Sequence, residues 1–194
     1  KIYISISLVL SLLLLPAFLF SQGLNFSSNE ELAQINEPPS NYGFVTDLPA
    51  SYSLERYVPF VKKQTGGTCV GFSTFYYALS TMYNIEFNII EGVDKFAHSF
   101  DPYFIYSIVF NKKNDCNTGL TFPQAFESVY KIGSKKLLYP PFTTCDTNWD
   151  EQKLLNTMPY TKSYSINNYY ILNVDKPNFV DNVKQAIAYK LPVV

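Results

Sequence analysis

Gln64-Thr65-Gly66-Gly67-Thr68-Cys69-Val70-Gly71-Phe72-Ser73 is the stretch from which the rest of the chain is read. A glycine-rich turn delivers a cysteine to the start of an amphipathic segment. Phe72, Phe75, Tyr76, Leu79, Met82 and Tyr83 recur at three- and four-residue steps, the spacing of one buried helical face. A thiolate at a helix N-terminus faces unpaired first-turn N–H groups and the positive end of the helix dipole. Both lower its pKa, which makes Cys69 a candidate nucleophile. Gly66 and Gly67 allow a tight turn that leaves main-chain N–H groups pointing at a ligand oxygen, and Gln64 offers a side-chain amide to the same oxygen. The competing reading is packing alone, because free cysteines are among the most buried residues.

Leu48-Pro49-Ala50-Ser51-Tyr52-Ser53-Leu54-Glu55-Arg56, Tyr57-Val58-Pro59 and Val61-Lys62-Lys63-Gln64 lead into that turn. Together with it they resemble the opening of the papain-like cysteine peptidases. Later segments resemble the family's motifs in its own order: Ser99 to Tyr106, then Asp115-Cys116-Asn117-Thr118-Gly119-Leu120, then Pro123 to Gly133. Leu138-Tyr139-Pro140-Pro141 and Phe179 to Val194 complete the series. The resemblance spans residues 48–194 and implies a two-lobed α+β fold with the active cleft between the lobes. It implies that Cys69 attacks a peptide carbonyl, that Gln64 holds the oxyanion, and that a distant His and Asn complete the site. Gly67, Thr68, Gly119 and Leu120 become the candidate substrate-binding residues, with Gly119 pairing to the substrate backbone and Leu120 walling an apolar pocket.

The chain departs from that pattern at several points. Val70 stands where the family has Trp, Gly66 where it has Cys, and Thr118 where its cleft segment has its first Gly. Gln64 also lies one position closer to the nucleophile than is usual. The family's His and Asn fall roughly 130 to 150 residues past the nucleophile, beyond Val194, which suggests a sequence cut before its general base. The only histidine, His98, precedes a helix signalled by Ser99 or Asp101 and Pro102, so a loop or surface role suits it better than catalysis.

Lys1 and the apolar run from Val9 to Phe20, broken by Pro16, read as a secretory signal peptide over residues 1–21, and a membrane anchor is the alternative. Residues 22–47 read as a polar leader or linker, too short for the family's long helical pro-segment. Export permits disulfides. Cys116 and Cys145 are the possible pair if Cys69 stays free, although both reduced, or paired elsewhere, remains open. Localisation would be secreted or in the cell envelope, with no stable membrane insertion after signal removal.

With 15 basic and 16 acidic residues the net charge is −1, and the lysine doublets form no nucleic-acid patch. One histidine and three scattered cysteines give no metal-ligand spacing, and no cofactor motif is present. The expected architecture is α+β. It has a helical region from Cys69 to about Tyr130, strands from near Ser163 carrying Tyr160, Tyr164, Tyr169, Tyr170, Ile166 and Ile171, and a late helix opened by Asp175 and Pro177. The expected activity is hydrolysis of a polypeptide substrate through an acyl-enzyme. The alternatives are a non-catalytic secreted binding or scaffold protein on the same fold, and acyl transfer to an amine.

Overall fold

The computed structural model describes residues 24–39, 48–90, 92, 95, 98–109, 116–137, 156 and 159–194. The proposed signal segment and Cys145 lie outside these. Within the leader stands a short helix, α1 (Asn29–Ala33), started by a reciprocal capping box in which Ser28 and Glu31 satisfy each other's backbone N–H. No residue of α1 is buried.

The second helix, α2, covers residues 69–86 and contains the predicted apolar face. It is α-helical at Cys69–Gly71, π-helical at Phe72–Leu79 and α-helical again at Ser80–Glu86. A π segment bonds i to i+5 and so turns the following residues away from a 3.6-residue repeat. That rotation explains why Met82, expected inside, is 36% exposed, while Ser80, Thr81 and Asn84 are buried. The Ser80 hydroxyl donates to the Phe75 carbonyl five residues back and accepts from the Phe100 N–H. Asn84 donates to the Tyr57 carbonyl at 2.8 Å. The helix closes on Asn88 in the left-handed region (φ 51), with Ile89 N–H bonded to Asn84 O and Asn88 N–H to Ile85 O, the paired bonds of a Schellman stop.

Two further helices pack on α2: α3 (Phe104–Val109) and α4 (Phe122–Lys131). Thr121 and Gln124 form the capping box of α4, with Pro123 in its first turn. One core joins Val70, Phe75 and Leu79 of α2 to Ile105 and Tyr106 of α3, Ala125 and Val129 of α4, and Phe100 and Leu120 from the connections. Each large side chain so buried contributes about 1.5–3 kcal/mol. Phe72, Tyr76, Tyr103 and Leu137 form a second cluster beside it. Gly71 lets α2 approach α3 closely, since a Cβ there would lie 2.2 Å from Pro102 O and 2.7 Å from a Tyr106 ring carbon.

The β-rich part of the expected α+β fold is overturned: the described residues contain no strand, only the isolated bridges Leu24 to Leu120 and Phe100 to Lys136. The aromatic segment read as strands satisfies its side chains against helices instead. Tyr169 stacks on Phe126 and donates to Glu127, while Tyr164 packs edge-on to Phe100 and Tyr83. β-Propensity reports fit to a half-buried surface, and here the helices supply that surface without a pairing partner. The single bond from Ile171 N–H to Asn36 O does not make a ladder.

The late helix, α5 (Phe179–Ala188), starts later than predicted because Asp175 belongs to a preceding turn, its N–H bonded to Asn173 Oδ1. No residue of α5 is buried. No helix among the described residues is long and apolar enough to cross a membrane.

Candidate functional site

Cys69 is half-buried and free at the first position of α2. The Cys69 and Val70 N–H groups make no hydrogen bond among the described residues, as first-turn donors do not within a helix. Gly66 takes φ +63, and a Cβ on it would sit 3.0 Å from Asn117 Oδ1 and 3.1 Å from Cys116 O. The turn before the thiol therefore lies directly against the Cys116–Asn117 segment, fifty residues further along. Cys116 is in a disulfide, and Cys69 and Cys116 both pack against the same core.

Four tyrosine hydroxyls fasten the segment leading through this turn, three to its backbone and one to the Thr65 side chain. Tyr76 donates to Phe60 O at 2.7 Å, and Tyr77 accepts from the Lys62 N–H at 3.3 Å. The Tyr103 and Thr65 hydroxyls are 3.0 Å apart. Tyr106 spans the turn, accepting from the Gly71 N–H and donating to Gly67 O at 3.1 Å. Burial pushes the Tyr76 phenol up to about 12 and raises that of Tyr106 as well, with Cys69 close enough to add to the second shift. Both remain neutral donors at physiological pH. Nothing in the spacing of the tyrosines announces this; only their abundance, 16 in the chain, was visible beforehand.

Asp101 sits under the same scaffold, accepting from the Tyr103 N–H at 2.9 Å. Burial raises its carboxyl to about 6, against the opposing influence of that N–H, Lys135 and Lys62. Lys62, itself partly buried, is lowered by desolvation.

The remaining predicted site residues divide. Gly119 has φ +74 and makes no hydrogen bond among the described residues, but it is buried, so its backbone is closed off from an extended substrate. Gln64 is exposed and its amide reaches only Gly66 O, at 3.5 Å, the limit of a hydrogen bond. Gly67 and Thr68 are turned inward: Gly67 O is taken by Tyr106, and the fully buried Thr68 donates to Thr65 O. Leu120 is likewise fully buried in the core and walls no open pocket. His98 stacks on Tyr83 with ring centroids 5.7 Å apart, and its Nδ1 lies 3.3 Å from Lys136 Nζ. Tyr83 is fourteen residues along α2 from Cys69, roughly 20 Å at 1.5 Å per residue, so His98 is not placed to take the thiol proton.

No protein-family model matches the chain, and neither does any curated protein or solved structure.

Proposed function

We propose that this protein is a secreted, papain-like cysteine peptidase with Cys69 as nucleophile. The observation that carries the reading is the contact of Gly66 with Cys116 and Asn117. It brings the glycine turn that precedes a free thiol against a segment the sequence separates from it by fifty residues. The Cys69 thiolate attacks the scissile carbonyl, and the free Cys69 N–H receives the oxyanion. A general base outside the described residues takes the thiol proton; collapse of the tetrahedral intermediate breaks the C–N bond as the protonated base returns that proton to the leaving amine, and water then hydrolyses the thioester. Gln64 joins the oxyanion site only if its side chain leaves Gly66 O.

The full-length gene product is expected to cleave an unfolded protein substrate, and Cys69→Ala to abolish cleavage. Turnover that survives Cys69→Ala would remove the thiol from the mechanism. The placement of His98 far from Cys69 favours a second reading, a peptide-binding protein without turnover; saturable peptide binding with no cleavage is its signature.

A further inference from the structure

We infer that His98 and Lys136 form an acid-sensitive latch that holds Tyr164, and with it residues 163–166, against the end of α2. The inference is independent of the peptidase reading. Lys136 is only 8% exposed, and no carboxylate among the described residues pairs with it. Its Nζ lies 3.8 Å from the centre of the Tyr83 ring and 4.9 Å from that of Tyr164. Ring faces attract a cation, and more strongly where water is excluded. The third neighbour is His98, whose Nδ1 is 3.3 Å away and whose ring stacks on Tyr83. An ammonium only donates, so Nδ1 accepts and the imidazole is neutral, with its proton on Nε2.

The backbone enforces this meeting. Phe100 and Lys136 form an antiparallel bridge, flanked by Asp101 N–H on Lys135 O and Leu137 N–H on Ser99 O. A protonated imidazole would set a second cation 3.3 Å from the first. The other titratable groups facing the pair are the phenols of Tyr83, on α2, and of Tyr164 and Tyr160, on the segment packed over it. Phenols carry no charge between pH 5 and 8, so they balance neither cation. Lys95, three residues before His98, lies over Phe60 instead. Tyr164 is held by the ammonium and by edge contacts with Tyr83 and Phe100, so a cage that opens releases it. Thr161 stays behind, fully buried with its carbonyl bonded to Ser134 N–H, and acts as the pivot. Acid protonates a His98 that has left Lys136, so opening is favoured as pH falls through the range in which histidine takes a proton.

Hydrogen exchange of the full-length gene product tests this at pH 7.5 and pH 5, corrected for the intrinsic pH dependence of exchange. The reporters are the Tyr164 and Ser165 amides, bonded to Thr161 O and Lys162 O, with Phe75 to Leu79 of α2 as the internal reference. Protection of the reporters is expected to fall about tenfold at the lower pH, the limit for one proton taken up over one pH unit, while the reference amides hold. His98→Gln, which keeps an acceptor and takes no proton, should abolish that pH response. Lys136→Met, which keeps an apolar stem and removes the resident cation, should abolish it too. A merely structural role for either side chain would leave the pH response in place and lower protection at both pH values alike. Asp101 cannot imitate the effect, because its raised carboxyl favours the fold on the acid side. Equal reporter protection at both pH values in wild type, or a fall that persists in either variant, would overturn the latch.

Discussion

The wall that carries Cys69, the described residues of 57–137, and the C-terminal region, residues 163–194, are built on different principles. The first holds both core clusters and almost every buried side chain, and its loops are tied to helices by buried hydroxyls and amides. In the second no residue is buried, and α5 and the following segment meet α2 across an open groove of about 400 Å³ lined by Tyr52, Tyr77, Ile187 and Val193 among others. Burial and hydrogen bonding are thus concentrated around the turn that carries Cys69. The same substitution chemistry should therefore cost several kcal/mol in one region and almost nothing in the other.

Gly71→Ala breaks the comparison hardest. The added methyl meets the Pro102 carbonyl and the Tyr106 ring, and since one of these is backbone the helices must separate. A loss of about 3 kcal/mol is expected in urea unfolding.

Next is the pH dependence of Asp101. The unfolded chain releases this proton near pH 4, whereas the folded one holds it to about pH 6. The unfolded state thus binds fewer protons between those values, and stability from this group is lost as pH rises through the window and is flat above it. The loss is about 2–3 kcal/mol. Asp101→Asn keeps the acceptor for the Tyr103 N–H and removes the titration, so unfolding midpoints at pH 4 and pH 7 should lie closer together than in wild type.

Tyr106→Phe follows, leaving Gly71 N–H and Gly67 O without their shared partner; about 2 kcal/mol should be lost, with slower alkylation of Cys69 as the turn loosens. At the small end, Val180→Ala on α5, a residue 58% exposed, should change stability by less than about 0.5 kcal/mol.

The contrast also explains what could be read from the sequence. The helical face from Phe72 to Leu79 and the start of α2 at Cys69 were legible because periodicity and a glycine turn are local signals. Met82 was misplaced because a π segment leaves no mark in a 3.6-residue pattern. The strands expected from Ser163 onward were wrong because β-branched and aromatic residues describe a packing surface and not a pairing partner; Tyr164 and Tyr169 found that surface on helices. At the candidate site, Cys69 is free at the helix start, whereas Thr68, Gly119 and Leu120 are all buried. The tyrosine rivets and the bonds from Asn25 to Thr118 and Leu120 depend on contacts across 15 to 95 positions, which no local spacing encodes.

The central claim is that this riveted wall presents Cys69 as an acyl-accepting nucleophile. Intact-mass measurement of the full-length gene product, quenched early in reaction with an activated peptide ester, tests it most directly. A mass increase of one acyl group, mapped to Cys69 and absent in Cys69→Ala, is the predicted result. An unmodified protein, or an acyl group that persists in Cys69→Ala, would contradict it.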